Sequence, residues 1–428
     1  MSKNSAYNMV NNMSKVDLDV LHNIYLLRCL TTKQIFNTFY SNKMTYESFL
    51  KSKLKSLIQK KLIEQVKFSK EDVAMVLTQF GVDVVREAFD LPTNIIDDKK
   101  NIIKRGYYRA SELKMQPRLV NHQINLNQFV LDFKYRYEEN AYKMVWRYYD
   151  EKYVSQYVNI RPDGLIRLVD TDFFLEMDMS TESKAQLIEK WRNYRAFLAS
   201  REYKYNERRI IVLFIIEGRG NLENRKKVVR KTAKDELLDF FSDDFDLIVG
   251  SKEELLDITF NELIPNIQQT NYNIERMKKN LTINHKFSIA SGDKLRKILN
   301  NTEYSFYIRK VDEENTVIIE DGKIQEYLLD YYQSNNMSVI NKIDYLPKNS
   351  SAFKYQYRRD INYIVVCEDL NQLYNELKLF DLNYQEGVYF TTIERLEKYP
   401  FNRALCQFNS FGQMYSFKDM KLEEKFYD

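Results

Sequence analysis

The sequence predicts a multidomain protein of mixed α+β and α/β class that opens with a winged helix-turn-helix. Three observations carry this. The length, 428 residues, exceeds what one hydrophobic core organises. The first ~95 residues show capped helical periodicities followed by two short strand-like runs. Further on, continuous apolar runs such as 210–216 recur between helical stretches, which is the pattern of buried strands in α/β layers. The composition, 44% hydrophobic and 29% charged, is that of a globular chain, and ten Gly with six Pro are too few for repeated turns or long flexible linkers.

Residues 1–15 are polar and are expected to form a flexible tail. Ser14 with Asp17 reads as a capping box before Leu18, Leu21, Tyr25 and Leu27. Thr31 with Gln34 repeats the signal and opens a short second helix through Ile35 and Tyr40, the tight restart of a helix-turn-helix. A third helix, from about Thr45 to Leu62, sets Leu50, Leu54, Leu57 and Ile58 on one face. Lys51, Lys53, Lys55, Lys60 and Lys61 lie largely on the others. Two strand-like runs, Ile63–Phe68 and Val73–Leu77, joined by the polar turn Ser69–Asp72, form the wing, with Lys67 and Lys70 upon it. A closing helix from Val82 to Phe89 completes a domain at 16–95.

Charge is concentrated at the same end. Residues 1–120 hold 20 Lys and Arg against 12 Asp and Glu, a net +8 that leaves the other 308 residues at −4. An acidic polymer, double-stranded DNA, is the partner this predicts, at the seven lysines 51, 53, 55, 60, 61, 67 and 70. Lysine-rich helix faces are also produced by solvation alone, and winged helices also serve protein contacts. No base-reading Arg stands out in the third helix. Cys29, Cys367 and Cys406 are too dispersed for a disulfide framework or a zinc ribbon. The N-terminal segment has no apolar region of the secretory type, and no run approaches a membrane span, so a cytoplasmic protein is expected.

Residues 96–118, with the basic run Lys99, Lys100, Lys104 and Arg105, read as a charged connector. From Leu119 a helix reaches about Tyr137, with His122 and Asn127 as polar landmarks. A single His there is more often a structural hydrogen-bonding partner than a ligand. The informative stretch follows: Arg161-Pro162-Asp163-Gly164, a strand over Leu165–Val169, and a second strand carrying Glu176 and Asp178 on one face. Three carboxylates near one point repel one another unless a metal or a proton neutralises them, so Asp163, Glu176 and Asp178 are candidate ligands for Mg2+ or Mn2+. Such an ion can activate water beside a phosphodiester. Acids at strand ends can equally be solvated and idle. Glu182 follows, then a helix with Leu187, Trp191, Tyr194 and Leu198 on one side, on which Lys190 and Tyr194 are neighbours. A buried strand at Ile210–Ile216, a basic helix at Glu223–Lys234, a strand at Phe245–Val249 and a helix capped by Ser251 with Glu254 complete an α/β domain at 119–265.

The Leu30-Thr31-Thr32-Lys33-Gln34-Ile35 start, the Leu77-Thr78-Gln79-Phe80-Gly81 run, the His122-to-Asn127 segment, Arg-Pro-Asp-Gly with the later Glu176-x-Asp178, Thr181-Glu182, and Lys190 with Tyr194 together resemble the replication-relaxation family. That family is encoded by plasmids and mobile elements and is related to C-class mobilisation relaxases. The resemblance covers about residues 16–255. It implies that the 119–265 segment has a restriction-endonuclease-like fold, and that Asp163 and Glu176 bind a metal with Asp178, Glu182 and Lys190 nearby. Tyr194 completes the candidate catalytic set. The wider fold places Lys two residues after its second acid, where this chain has Asp178; Lys190 or Lys184 is the substitute cation the sequence offers.

From 270 to 428 the rhythm returns. A strand at Asn362–Val366, a helix at Leu370–Phe380, a strand at Gly387–Phe390 and a helix capped by Thr391 with Glu394 mirror Ile210–Leu255. A degenerate second α/β copy and chance recurrence of a common βα pattern both remain open. Glu320-Asp321-Gly322-Lys323 does not reproduce the acidic constellation, so a copy is expected to be non-catalytic, serving dimer contact or DNA clamping. Two functions stay open for the whole: a mobile-element protein that nicks DNA with a divalent metal during replication or mobilisation, and a non-enzymatic regulator or replication-accessory factor. A homodimer and the element's replication or transfer proteins are further expected partners.

Overall fold

The computed structural model describes the chain except residues 1–2, 69–72, 97–101, 141, 205–207, 219, 269, 293–303, 321–322, 334–335, 383–384, 409–412, 417–421 and 426–428. By contact the chain gathers into two compact units, residues 1–169 with 173–181, and residues 170–172 with 182–428. The division falls inside the 119–265 segment set apart in the sequence. The mixed α/β class is as expected.

In the first unit the helices and the hairpin expected from residues 16–95 are present. Helix α1 (Lys3–Asn11) occupies part of the expected flexible tail, with Ala6 buried. No cap announces this polar helix. Helix α2 (Lys15–Leu27) starts at Ser14, whose hydroxyl accepts from the Asp17 amide. Strand β1 (Leu30–Thr31) follows, and Thr31 with Gln34 forms a complete capping box at helix α3 (Thr32–Phe39). The third helix runs unbroken from Thr45 as α4 (Tyr46–Phe49), a π turn at Leu50–Leu54 and α5 (Lys55–Gln59), with Phe49, Leu54 and Leu57 buried. Strands β2 (Ile63–Lys67) and β3 (Val73–Leu77) pair antiparallel, and β1 joins β3 to give the order β1-β3-β2. The turn read at Ser69–Asp72 lies outside the described residues. Helix α6 (Gln79–Phe89) is capped by Thr78 and approaches the loop after α5 so closely that a Cβ on Gly81 would sit 2.0 Å from the Leu62 carbonyl oxygen. Only glycine fits there.

The expected connector is ordered in part. Strands β4 (Asn94–Ile96) and β5 (Ile102–Arg105) pair, and helix α7 (Ala110–Leu113) follows; Lys99 and Lys100 lie outside the described residues. Helix α8 (Pro117–Glu139) has Pro at its first position, where the missing N–H costs nothing. It buries Val120, Leu126, Phe129, Val130 and Phe133. Strand β6 (Trp146–Asp150), unforeseen in the sequence, leads into helix α9 (Glu151–Val154). It pairs antiparallel with β7 (Gly164–Leu168), which neighbours β8 (Thr171–Asp178). All eight residues of β8 are buried, and each large apolar side chain removed from water there contributes about 1.5–3 kcal/mol.

The second unit begins with helices α10 (Lys184–Ala199) and α11 (Arg201–Lys204). Strand β9 (Arg209–Ile216), helix α12 (Leu222–Leu237), strand β10 (Phe245–Gly250) and helix α13 (Lys252–Ile258) follow, and β9 and β10 are parallel. Short helices α14 (Ile264–Ile267) and α15 (Tyr272–Lys279) lead to strands β11 (Phe287–Ser291) and β12 (Phe306–Lys310), then a small hairpin, β13 (Ile319–Glu320) and β14 (Lys323–Ile324). Asp321 and Gly322 lie outside the described residues. Next come β15 (Glu326–Tyr331), α16 (Met337–Tyr357), β16 (Asn362–Cys367), α17 (Leu370–Leu379), β17 (Val388–Thr392), α18 (Ile393–Lys398) and α19 (Phe401–Ala404). Strands β18 (Cys406–Phe408), β19 (Gln413–Ser416) and β20 (Leu422–Lys425) close an eight-stranded mixed sheet of order β11-β12-β15-β16-β17-β18-β19-β20, parallel from β15 through β17.

The β16–α17–β17–α18 unit repeats β9–α12–β10–α13 element by element, with parallel strands in both. Its cap is one residue later than the sequence indicated. Thr392, not Thr391, accepts from the Arg395 amide, because the Thr391 hydroxyl is committed to the Ala404 carbonyl. The three cysteines are buried; Cys367 and Cys406 behave as the small core residues their apolar strands suggest.

Asp246 of β10 is buried and accepts from the amides of Met337 and Ser338 at the start of α16, at 3.1 and 3.2 Å. Burial pushes its carboxyl up to about 7, against the pull of Arg209 and of the Leu247 and Ser338 amides. An unfolded Asp releases its proton near pH 4. The native state therefore binds more protons between about pH 4 and 7, and this group's contribution to stability declines as pH climbs through that window. Asp246→Asn keeps an oxygen for the two amides. The variant is expected to gain on the wild type in urea unfolding as pH rises from about 4 to 7; a constant difference across that range would refute the assignment.

Candidate functional site

Two sets of residues from the first unit carry the functional case. The first is the lysine surface. Lys51, Lys55, Lys60, Lys61 and Lys67 are exposed, whereas Lys53 is half-buried. Lys51 pairs with Glu47 one turn away, and Lys53 reaches Asp17 at 3.4 Å. Lys55, Lys60, Lys61 and Lys67 have no acidic partner among the described residues, and Lys70 lies outside them. Four cations without counter-charges thus project from the third helix, its C-terminal end and the first strand of the hairpin. Exposed pairs such as Lys51–Glu47 contribute little to stability and exchange readily for phosphate.

The second set is built on α8 and β8. Asp163, at the turn before β7, donates its amide to the Leu175 carbonyl at 2.9 Å, and its Oδ2 accepts from the Met177 amide at 2.8 Å. These two bonds bracket Glu176, so Asp163 stands across from it. Gly164 follows Asp163 because the Tyr148 ring covers the position; a Cβ would lie 2.9 Å from it. His122 of α8 completes the contact, its Nε2 lying 3.0 Å from the Met177 carbonyl and 3.3 Å from Asp163 Oδ2. His122 is thus a hydrogen-bonding partner to the strand that carries Glu176, its ring beside the candidate acid, a role the sequence gave as the commoner one but could not place. Glu176 and Asp178, alternate residues on one face of β8, are both buried.

The remaining candidates belong to the second unit. Glu182 pairs with Lys190 at 3.0 Å, its backbone carbonyl accepts from Arg225 at 2.8 Å, and the Lys190 ammonium lies 5.2 Å from the centre of the Phe214 ring. Tyr194 is 1% exposed and packs against Trp191 and Phe245. As placed, its hydroxyl is in the core and is not presented to a phosphate. Among the described residues no three His, Cys, Asp or Glu side chains converge in the manner of a metal site. The Asp163 carboxylate is instead engaged by an amide and an imidazole.

Sequence reasoning marked Asn127 as a polar landmark of α8 but gave it no partners and passed over Gln123. Asn127 is fully buried and donates to the carbonyls of Leu27 and Cys29, at 3.0 and 2.5 Å. Gln123 donates to the Asn127 side-chain oxygen at 2.8 Å, and Gln34 of α3 donates to the Ile124 carbonyl at 2.9 Å. Buried amides on the apolar face of a helix were the available signal, since such groups are found where they are hydrogen-bonded. Arg28, buried at the end of α2 with φ of 69°, pairs with Glu151.

Among the described residues no helix is long and apolar enough to cross a membrane. Residues 21–213 match the model of the replication-relaxation family. That bears out the resemblance read from the motifs and points to a role in replication or in mobile elements. No curated protein and no solved structure matches the chain.

Proposed function

Proceeding from a chain whose residues 21–213 match the replication-relaxation family, we propose that it is a double-stranded DNA-binding replication-accessory protein. In this reading residues 16–95 are a winged helix that grips the phosphate backbone. The observation that carries it is the row of exposed lysines, Lys55, Lys60, Lys61 and Lys67, that have no acidic partner among the described residues, on a helix followed by a β-hairpin. Helix and hairpin are the two elements such domains lay against DNA. Binding through phosphates is independent of sequence and falls steeply with salt. Fluorescence anisotropy of a labelled duplex, titrated across salt concentrations, tests it; affinity insensitive to salt would refute it.

A second reading, metal-dependent nicking, is favoured by one observation: Asp163 stands across from Glu176, with Asp178 two residues on. Mg2+ commonly takes one or two carboxylates, with water and phosphate completing its shell. Asp163 and Glu176 would hold Mg2+ or Mn2+, with Asp178 adjacent, and the ion would supply a Lewis acid for phosphodiester cleavage. The present commitment of Asp163 to the Met177 amide and His122, and the burial of Glu176, place this reading second. Purified protein with Mg2+ or Mn2+ is expected to leave a supercoiled plasmid carrying its cognate origin uncut. Nicking that vanishes in Asp163→Ala while duplex binding persists would put the second reading first.

A further inference from the structure

The first unit contains a cavity of about 750 Å³ lined by residues of α2, α8, the β4–β5 hairpin and β6. It is within the range that accommodates small ligands. Its walls are unusually aromatic: Tyr25, Tyr107, Tyr108, Trp146 and Tyr149 all face it. None of these five is fully buried, and Tyr149 already stacks on Tyr153 of the same lining with ring centres 4.0 Å apart. Cations attend the rings. The Arg86 guanidinium lies over Tyr107 at 2.9 Å, the Lys152 ammonium lies 4.6 Å from the centre of Tyr108, and Arg167 lies 5.4 Å from that of Tyr149.

The charge of the lining is one-sided. Lys134 and Arg147 stand against a single acid, Asp150. That carboxylate is already used, accepting from the amides of Lys152 and Tyr153 at the start of α9, and burial pushes its carboxyl up, towards the neutral form. A ligand suited to this cavity is therefore planar and aromatic, to stack on tyrosine, and anionic, to meet Lys134 and Arg147. Stacked aromatics beside a basic track are the means by which proteins hold unpaired nucleotides.

We propose that this cavity is a nucleotide site, taking a base between its aromatic walls and the phosphate at Lys134 and Arg147. The base comes either from an unpaired DNA strand or from a free nucleotide. The site is separate from the duplex contact of the third helix and does not depend on it.

Trp146 lines the cavity, and the only other tryptophan, Trp191, is fully buried in the second unit. Intrinsic fluorescence of the full chain therefore reports on the cavity. Titration with the oligonucleotide (dT)8 and, separately, with dAMP is expected to quench Trp146 saturably. Tyr149→Leu and Lys134→Ala are each expected to weaken the response about tenfold, with circular dichroism verifying that both variants remain folded. Saturation by (dT)8 alone assigns the base to an unpaired strand, and saturation by dAMP at comparable concentration assigns it to a free nucleotide; both support the site. Absence of saturable quenching by either probe, or quenching unchanged in both variants, overturns it. Duplex binding is measured on a blunt duplex in a separate assay, so the failure of one reading does not decide the other.

Discussion

Replacing Lys55, Lys60, Lys61 and Lys67 together by Ala is expected to lower affinity for duplex DNA on the order of a hundredfold near 0.1 M salt. The expectation follows from what these side chains lack. Lys51 and Lys53 already have Glu47 and Asp17 as partners, so their removal exchanges one set of ions for another. The other four lysines have no acidic partner among the described residues, and each phosphate contact they make contributes about 0.9 to the slope of log affinity against log salt. The quadruple variant should therefore flatten that slope by about 3.6 while leaving thermal stability nearly unchanged, since all four are exposed. A slope identical to that of the wild type would show that DNA, if bound, lies elsewhere.

The second large effect concerns stability. Lys342 is buried in the second unit, its ammonium 2.8 Å from Asp330 and 2.9 Å from Asp243. Burial disfavours its charge, yet the two carboxylates outweigh burial and hold the ammonium above its ordinary lysine value. Ser305 adds two donors to the same Asp330 oxygen, at 3.0 and 2.6 Å. Removing the cation alone leaves Asp330 buried without it. Lys342→Met is expected to cost about 3–5 kcal/mol, measured by urea unfolding of the full chain. The double variant Lys342→Met/Asp330→Asn removes both charges and should recover a large part of that loss. A double variant as unstable as the single one would mean that the loss reflects packing around the lysine stem and not the orphaned acid.

What the sequence showed and what it hid divide along physical lines. Features set by neighbours within four residues were legible: the caps at Ser14, Thr31 and Ser251, the third helix after Thr45, the strand within 209–216, and the apolar side of α10 on which Tyr194 sits. That last observation already implied the burial of Tyr194, since Leu187, Trp191 and Leu198 share its face. Features set by distant partners were not legible. Strand β1 is two residues long and exists only because β3 pairs with it. The outer strands of the eight-stranded sheet likewise depend on pairings that no periodicity announces. At the candidate site, the turn position of Asp163 and the shared face of Glu176 and Asp178 were readable. His122 reaches Asp163 from 41 positions away along the chain, and nothing local encodes that contact. The expected convergence of three carboxylates rested on strand alternation, which fixes a face but not how far apart the side-chain ends come to rest.

Helix α8 joins the two parts of the first unit by unlike means. At Asn127 and Ile124 it is fastened to α2, to Cys29 just beyond it and to α3 through buried amide bonds, whereas at His122 it meets Asp163 through an imidazole. Both attachments fall within the first half of the helix, little more than one turn apart. A tug on the lysine-bearing module would thus be felt at the acid through a single turn of backbone, and the amide hydrogens of that turn should be among the slowest in the chain to exchange with solvent.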